Sequence, residues 1–333
     1  MFSHLLRRGL IFLPVILLAG CNMVVMNPSG DVAHQEARLV VISTLLMLLI
    51  IVPVIALVVL FAWRYRKSNT AARYEPDWDH STQLELVIWG APLLIIIALG
   101  LLTWISTHTL DPYRPLARID AQNPLPENHK PLEVQVVALD WKWLFIYPEQ
   151  GIATVNELAA PVNVPIRFKI TASSVMNAFY IPALAGQIYA MPSMQTQLNA
   201  VINKPGEFEG FSSNYSGAGF SDMRFKFHAL SNDDFDAWVK KVKAGSDVLK
   251  RPDYLALEKP SIKDPVRYFG TVDGTLYHAI LNRCVEEGKV CVDAQMATDK
   301  NVKEGAAKKE AAVPAATAST VAAAAPASAV TQQ

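Results

Sequence analysis

Seven histidines, three cysteines and one acidic residue at the edge of an apolar run are the groups of this 333-residue chain with the clearest chemical reach. Cys284 and Cys291 flank Gly288 closely enough to close a local disulfide in an oxidising compartment; in a reducing one they would be two packed thiols. There is no C-x-x-C pair and no C-x-x-C-H run, so neither a cysteine zinc site nor attached haem fits. His34, His80, His108, His129, His228 and His278 are scattered, without the close spacing of metal ligands. Any redox chemistry must then use partners or non-cysteine ligands. Glu85 precedes the apolar run that opens at Leu86. Thr82-Gln83-Leu84-Glu85 fits a helix capping box. Trp141, Trp143, Phe145 and Tyr147 alternate at strand spacing, which suits a core or a subunit interface better than an electron path.

These groups need elements to hold them, and the composition says where to look first. Hydrophobic types reach 51% and charged types only 18%, against ~25% charged in an ordinary soluble domain. Membrane segments are therefore expected. Basic and acidic residues balance at 30 each, so no global field favours nucleic acid, which is set aside as a partner. Arg7 and Arg8 precede an apolar run that closes on Leu18-Ala19-Gly20 ahead of Cys21, the layout of a bacterial export leader with a lipobox. Cys21 is then the expected first residue of the mature chain and its lipid attachment point. Residues 39–63 and 86–110 contain no Asp, Glu, Lys or Arg, and each as a helix would be roughly 37 Å long against a ~30 Å hydrocarbon core. Both are expected to span, with Pro53 and Pro92 tolerated inside them. Arg64, Arg66, Lys67 and Arg73 place the connection at 64–85 in the cytoplasm, so the 21–38 segment and everything after residue 110 are exported.

From residue 132 the apolar period changes to two. Leu132, Val134 and Val136 alternate, then Trp141 to Tyr147 alternate in the opposite phase, a slip that a bulge near Ala138 to Asp140 would absorb. Val162, Val164, Ile166, Phe168 and Ile170 form a third run, Met223, Phe225, Phe227 and Ala229 a fourth, with shorter runs at 175–181 and 194–203. These read as half-buried antiparallel strands of a small sandwich or barrel within 111–230. Ser231 with Asp234 predicts a capped helix that turns Phe235, Trp238, Val239 and Val242 to one side. Leu276, Ile280 and Cys284 mark another amphipathic helix, so 231–301 reads as a helical extension. Residues 302–333 are rich in Ala, Pro, Ser and Thr and are expected to be disordered after it.

Three stretches, in order, carry a family resemblance. Asp140-Trp141-Lys142-Trp143-Leu144-Phe145-Ile146-Tyr147-Pro148 resembles the aromatic region of subunit II of the haem-copper respiratory oxidases. Ser174 to Pro182 resembles that family's first metal-ligand strand, and Ser212 to Met223 its ligand loop. The resemblance implies a two-span membrane α-hairpin followed by an all-β cupredoxin-like sandwich or barrel. In the cytochrome c oxidases of the family these stretches hold a dinuclear copper through a histidine and then C-x-x-x-C-x-x-x-H-x-x-M, with a loop carbonyl. Here the matching positions are Asn177, Ser212, Asn214 for the carbonyl, Ser216, Phe220 and Met223. The spacing survives without the ligands: alcohols stay protonated near neutral pH, phenylalanine has no lone pair, and the bridging thiolates are gone.

That loss, with the stretch Gln150 to Glu157, makes the sequence similar to the copper-less subunit II of the cytochrome bo-type ubiquinol oxidases. The resemblance implies a complex that oxidises ubiquinol, reduces oxygen and pumps protons in the bacterial inner membrane. This chain would then carry no cofactor or catalytic residue, while subunit I holds the haems, the oxygen-reducing copper and the quinol contacts. Subunit I, smaller membrane subunits and lipid would be its partners. Glu85-Leu86-Val87-Ile88-Trp89 matches the family segment whose glutamate stands at the mouth of a proton channel into subunit I. Two alternatives stay open: a cytochrome c oxidase subunit with another relay, and a lipid-anchored scaffold without a part in turnover.

Overall fold

The structure, a computed structural model, describes residues 23–73, 75–126 and 129–311. Cys21, the leader and 312–333 lie outside the described residues. Helix α1 (Asp31–Arg64) and helix α2 (Thr82–Thr109) are long and apolar enough to cross a membrane, and nearly all of their apolar side chains face outward. Both begin before the apolar runs. The first turns of α1 are docked rather than free: Asp31, Val32, Ala33 and Ala37 are buried, Gly30 bridges to Ile202, and the Ala33 N–H donates to the Leu184 carbonyl at 3.3 Å. A Cβ on Gly30 would sit 2.5 Å from the Leu184 oxygen, so only glycine passes there.

The β-domain has two main sheets. The strands are β1 (Leu132–Leu139), β2 (Lys142–Tyr147), β3 (Ile152–Val155), β4 (Glu157–Pro161), β5 (Pro165–Ala172), β6 (Asn177–Tyr180), β7 (Ile188–Ala190), β8 (Thr196–Val201), β9 (Gly206–Ser212) and β10 (Arg224–Leu230). Later come β11 (Val248–Leu249), β12 (Arg267–Phe269) and β13 (Thr271–Val272). One sheet runs β12-β3-β2-β1-β5-β8, the other β4-β10-β9-β6-β7, and β11 pairs with β13 apart from both. Val134, Val136, Trp143, Phe145, Tyr147, Phe168, Phe179 and Phe225 fill the space between the sheets. Phe179 and Phe225 stack there with centroids 5.5 Å apart.

The structure corrects several expectations. β1 and β2 form a hairpin in which Leu139 faces Lys142 and Ala138 faces Trp143, so the phase change between them is the consequence of a tight turn and not of a bulge. The sheets are mixed rather than antiparallel: β1 pairs in parallel with β5, and β4 with β10, as crossing connections between two sheets require. The strands β1 to β3 are buried on both faces and not one. Val137, Leu139, Leu144, Ile146, Ala153 and Val155 point away from the sandwich into a second core. Finally, the extension after residue 230 is not all helix. It contains α3 (Asn232–Lys243), α4 (Arg251–Glu258), α5 (Leu276–Leu281) and α6 (Val292–Ala311), yet β12 joins the edge of the first sheet beside β3. Tyr254, Leu257, Phe269, Leu276 and Ile280 from this extension close the second core. α6 also passes residue 302 to reach Ala311, as its alanines, lysines and glutamate favour.

α3 begins where Ser231 Oγ accepts the Asp234 N–H at 3.1 Å, and it buries Phe235, Trp238, Val239 and Val242 as their spacing predicts.

Candidate functional site

β6 opens on Asn177 and β9 closes on Ser212, so two adjacent antiparallel strands bring these buried side chains together. The Ser212 hydroxyl donates to Asn177 Oδ1 at 3.0 Å, with the Asn214 carbonyl 3.2 Å away as its alternative acceptor. Asn177 Nδ2 donates to the Val175 carbonyl and Asn214 Nδ2 to the Met176 carbonyl, which ties the two segments to each other. Phe220 opens a 3-10 turn, Phe220–Asp222, and meets Tyr215 edge-on with centroids 5.6 Å apart. Met223 is wholly buried in the core between the sheets, and its carbonyl accepts the N–H groups of Ser212 and Trp143 Nε1. Ser216 contributes its carbonyl to Trp141 Nε1–H at 3.0 Å, while its own hydroxyl is buried without a partner among the described residues. Trp141 lies against the loop because Gly217 and Gly219 leave room: a Cβ on Gly219 would come within 2.6 Å of the indole.

All six positions of the resemblance are thus gathered around one loop, as neutral amides, alcohols, a phenyl ring and a buried thioether. This donor set does not suit copper. Bridging a dinuclear copper needs soft thiolates, and an amide bonded to an alcohol offers neither charge nor softness.

Glu85 lies on the first turn of α2, at the end of that helix away from the β-domain. The capping-box expectation fails there. Ser81 is the N-cap and makes no side-chain cap bond; Thr82 is the first helical residue, and the Glu85 N–H bonds the Ser81 carbonyl at 2.9 Å as an ordinary turn. The carboxylate instead meets His80 Nδ1 at 2.7 Å, and His80 Nε2 reaches Thr82 Oγ1 at 3.1 Å. Both Glu85 and His80 are exposed. In sequence His80 is one of the scattered histidines; its place five residues before Glu85, across the helix start, is the signal that links the two.

Two further clusters join the extension to the sandwich, and neither is visible from local spacing. Lys142, at the start of β2 with 1% side-chain exposure, reaches the Lys259 carbonyl at 2.9 Å, Ser261 Oγ, and Asp264 Oδ2 at 3.2 Å. Burial alone would raise the Asp264 carboxyl, but hydrogen bonds from Ser261 and Lys142 outweigh it and hold the group below the usual carboxylate range. Asn156 bridges the same seam by accepting the Trp143 N–H and donating to the Asp264 carbonyl, both at 2.9 Å. On the other sheet, Glu157 Oε1 accepts from Trp238 Nε1 at 2.9 Å and from the Tyr268 hydroxyl at 2.8 Å. Burial, then the Glu157 charge, push the Tyr268 phenol up to about 12. Cys284 and Cys291 are joined by a disulfide in the structure, with Cα atoms 4.8 Å apart, between α5 and α6.

The comparisons with known proteins fit this architecture. Residues 132–229 match the family model of the cytochrome c oxidase subunit II periplasmic domain, and residues 243–288 match that of the COX aromatic rich motif. The chain is 50% identical over 272 residues to the cytochrome bo(3) ubiquinol oxidase subunit 2 of Pseudomonas putida, covering 82% of this chain and 84% of that one. It is 50% identical over 297 residues to the ubiquinol oxidase subunit 2 of Acetobacter aceti, covering 87% and 94%. The chain belongs to the ubiquinol oxidase subunit 2 family. In that family's terms the two-sheet sandwich is its cupredoxin-like periplasmic domain, preceded by two membrane helices of an inner-membrane protein. The aromatic-rich segment is the cover of the second core, with Tyr254, Phe269 and Tyr277 buried against β1 to β3. Among solved structures, the periplasmic domain of cytochrome oxidase subunit II from Bradyrhizobium japonicum is 26% identical, covering 34% of this chain and 94% of that one, with a TM-score of 0.33.

Proposed function

We propose that this chain is subunit II of a proton-pumping quinol oxidase, and that it contributes assembly and proton uptake rather than a redox centre. The hydrogen bond between Ser212 and Asn177 carries the reading. It occupies the place where a copper relay would need thiolate and imidazole, and it satisfies both groups with each other. A relay on the exported face is dispensable only if electrons arrive within the bilayer, which is where a lipid-soluble quinol delivers them. Haems and copper would then reside in subunit I, together with the quinol contacts, and this chain would bind subunit I, smaller membrane subunits and lipid.

Two finer roles belong to the same reading. Glu85, exposed at the inner start of α2 and held by a single imidazole, is suited to take protons from the cytoplasm and pass them toward subunit I. Cys21 is suited to carry the lipid of a mature N-terminus in the periplasm.

The test is quinol-driven oxygen uptake by the complex that this chain retains on purification. Turnover with quinol and none with reduced cytochrome c is the expected result. Turnover with cytochrome c would favour a different relay, and co-purification with no haem-containing subunit would favour a scaffold.

A further inference from the structure

The strongest unassigned feature is the cavity at the waist, where the outer ends of both membrane helices meet the β-domain. It measures about 350 Å³, within the ~300–1,000 Å³ of small-ligand sites. Its charged lining is unevenly paired. Asp31 is satisfied, accepting from Arg118 Nε at 2.9 Å and from Gln35 Nε2 at 2.8 Å. Glu36 accepts the Gly186 N–H, and no cation comes within ion-pair distance of it among the described residues. The Arg114 guanidinium makes one hydrogen bond, from Nη1 to the His108 carbonyl at 3.4 Å, and has no carboxylate partner among the described residues. Asp111 lines the cavity too, its Oδ1 accepting the Tyr113 N–H at 2.9 Å, so the cavity presents two carboxylates, Glu36 and Asp111, and one guanidinium, Arg114, without ion-pair partners among the described residues, beside apolar Leu110 and Leu116.

Depth identifies the occupant. Glu36 stands three residues outside the apolar run that begins at Leu39, ~4.5 Å along the helix axis. Thr109 and Leu110, which end the other helix, line the same cavity. The polar layer of a bilayer is ~5–8 Å thick on each side of the hydrocarbon, so the mouth opens at headgroup level. We infer that this cavity binds the headgroup of a zwitterionic aminophospholipid, its primary ammonium on Glu36 and its phosphodiester on Arg114; this rests on the two-span membrane reading above. The carboxylate selects a primary amine in particular. An ammonium donates charge-assisted hydrogen bonds to a carboxylate, whereas a trimethylammonium has no N–H to donate.

The experiment is native mass spectrometry of the detergent-purified, delipidated oxidase complex, titrated separately with phosphatidylethanolamine, phosphatidylcholine and phosphatidylglycerol. One phosphatidylethanolamine should be retained per copy of this chain, with the other two at least about tenfold weaker. Glu36→Gln keeps an acceptor for the Gly186 N–H, and it should weaken retention by about tenfold, as should Arg114→Gln, while Arg114→Lys retains most of it. Haem content and melting temperature should stay at the unmodified values in all three, which separates lost binding from lost folding. Equal retention of phosphatidylethanolamine and phosphatidylcholine, or unchanged retention in both Glu36→Gln and Arg114→Gln, overturns the assignment. Displacement by free phosphoethanolamine at matched concentration overturns the bilayer as the source. Because the readout is a bound mass, the site stands or falls separately from quinol turnover.

Discussion

The Lys142 ammonium lies 3.2 Å from an Asp264 carboxylate oxygen, with side chains only 1% and 8% exposed, so the sandwich and its C-terminal cover are held by a charge pair sealed from water. The two residues are far apart in sequence and meet only when the aromatic-rich segment lies across β2. Removing Asp264 leaves the Lys142 ammonium buried without a counter-charge, a loss much larger than that of a surface pair, whereas removing Lys142 leaves Asp264 still paired with the Arg267 guanidinium at 2.7 Å.

Asp264→Asn should therefore destabilise the periplasmic region by ~3–5 kcal/mol, read as a lowered denaturation midpoint with limited proteolysis appearing first in 243–288. The pH dependence has a definite sign. The folded carboxyl titrates below its ordinary value, so its contribution is complete above ~4 and is lost as pH falls through the lowered value. The unmodified protein should lose stability in that acid window while Asp264→Asn shows a flatter profile there. Equal stability of the two proteins at neutral pH would show that the pair holds nothing.

The copper question can be put directly to the loop. The unaltered chain should take up no stoichiometric copper. Asn177→His, Ser212→Cys, Ser216→Cys and Phe220→His together restore two imidazoles and two thiolates on a scaffold whose strands already bring positions 177 and 212 together. The fourfold variant should bind copper with intense visible absorption from thiolate charge transfer. Full copper occupancy of the unaltered chain, measured by metal analysis, would contradict the quinol reading.

Cys284 and Cys291 close a short loop between α5 and α6, so native protein should yield a disulfide-linked peptide and no alkylatable thiol at either position. Cys284→Ser with Cys291→Ser should cost about 2 kcal/mol, the small value expected of so short a loop. Two free thiols in native protein would end this expectation.

What could be read in advance followed the range of the interactions. Ser231, Asp234 and the face of Phe235, Trp238, Val239 and Val242 lie within a few turns of one another, and local spacing specified that helix. The gathering of Asn177 with Ser212 to Met223 was legible only through resemblance, because periodicity does not say which strands are neighbours. The parallel pairing of β1 with β5 left no local trace. Lys142 carries a misleading local signal: between Trp141 and Trp143 a lysine reads as the solvent side of a strand. The apolar residues after it, Leu144 and Ile146, did carry the contrary signal, since an uninterrupted apolar run means burial on both faces.

Glu85 carries the sharpest mechanistic test, and its contact with His80 makes the test cleaner. The carboxylate does not cap α2, so replacing it removes a titratable group and one imidazole contact, and leaves the helix start at Ser81 intact. Glu85→Gln preserves volume and an oxygen acceptor for His80, and the complex should assemble with full haem content. A side-chain amide cannot take up and release protons near neutral pH, so oxygen reduction should slow severalfold, while Glu85→Asp recovers part of the rate. His80→Ala separates this from a role for the pair: with Glu85 intact and exposed, proton uptake should persist and turnover stay within about twofold of the unmodified enzyme, since an exposed pair contributes little. The decisive measurement is steady-state quinol oxidation per haem across pH. If Glu85→Gln turns over at the unmodified rate throughout, the glutamate passes no protons, and its contact with His80 is only a feature of the exposed loop.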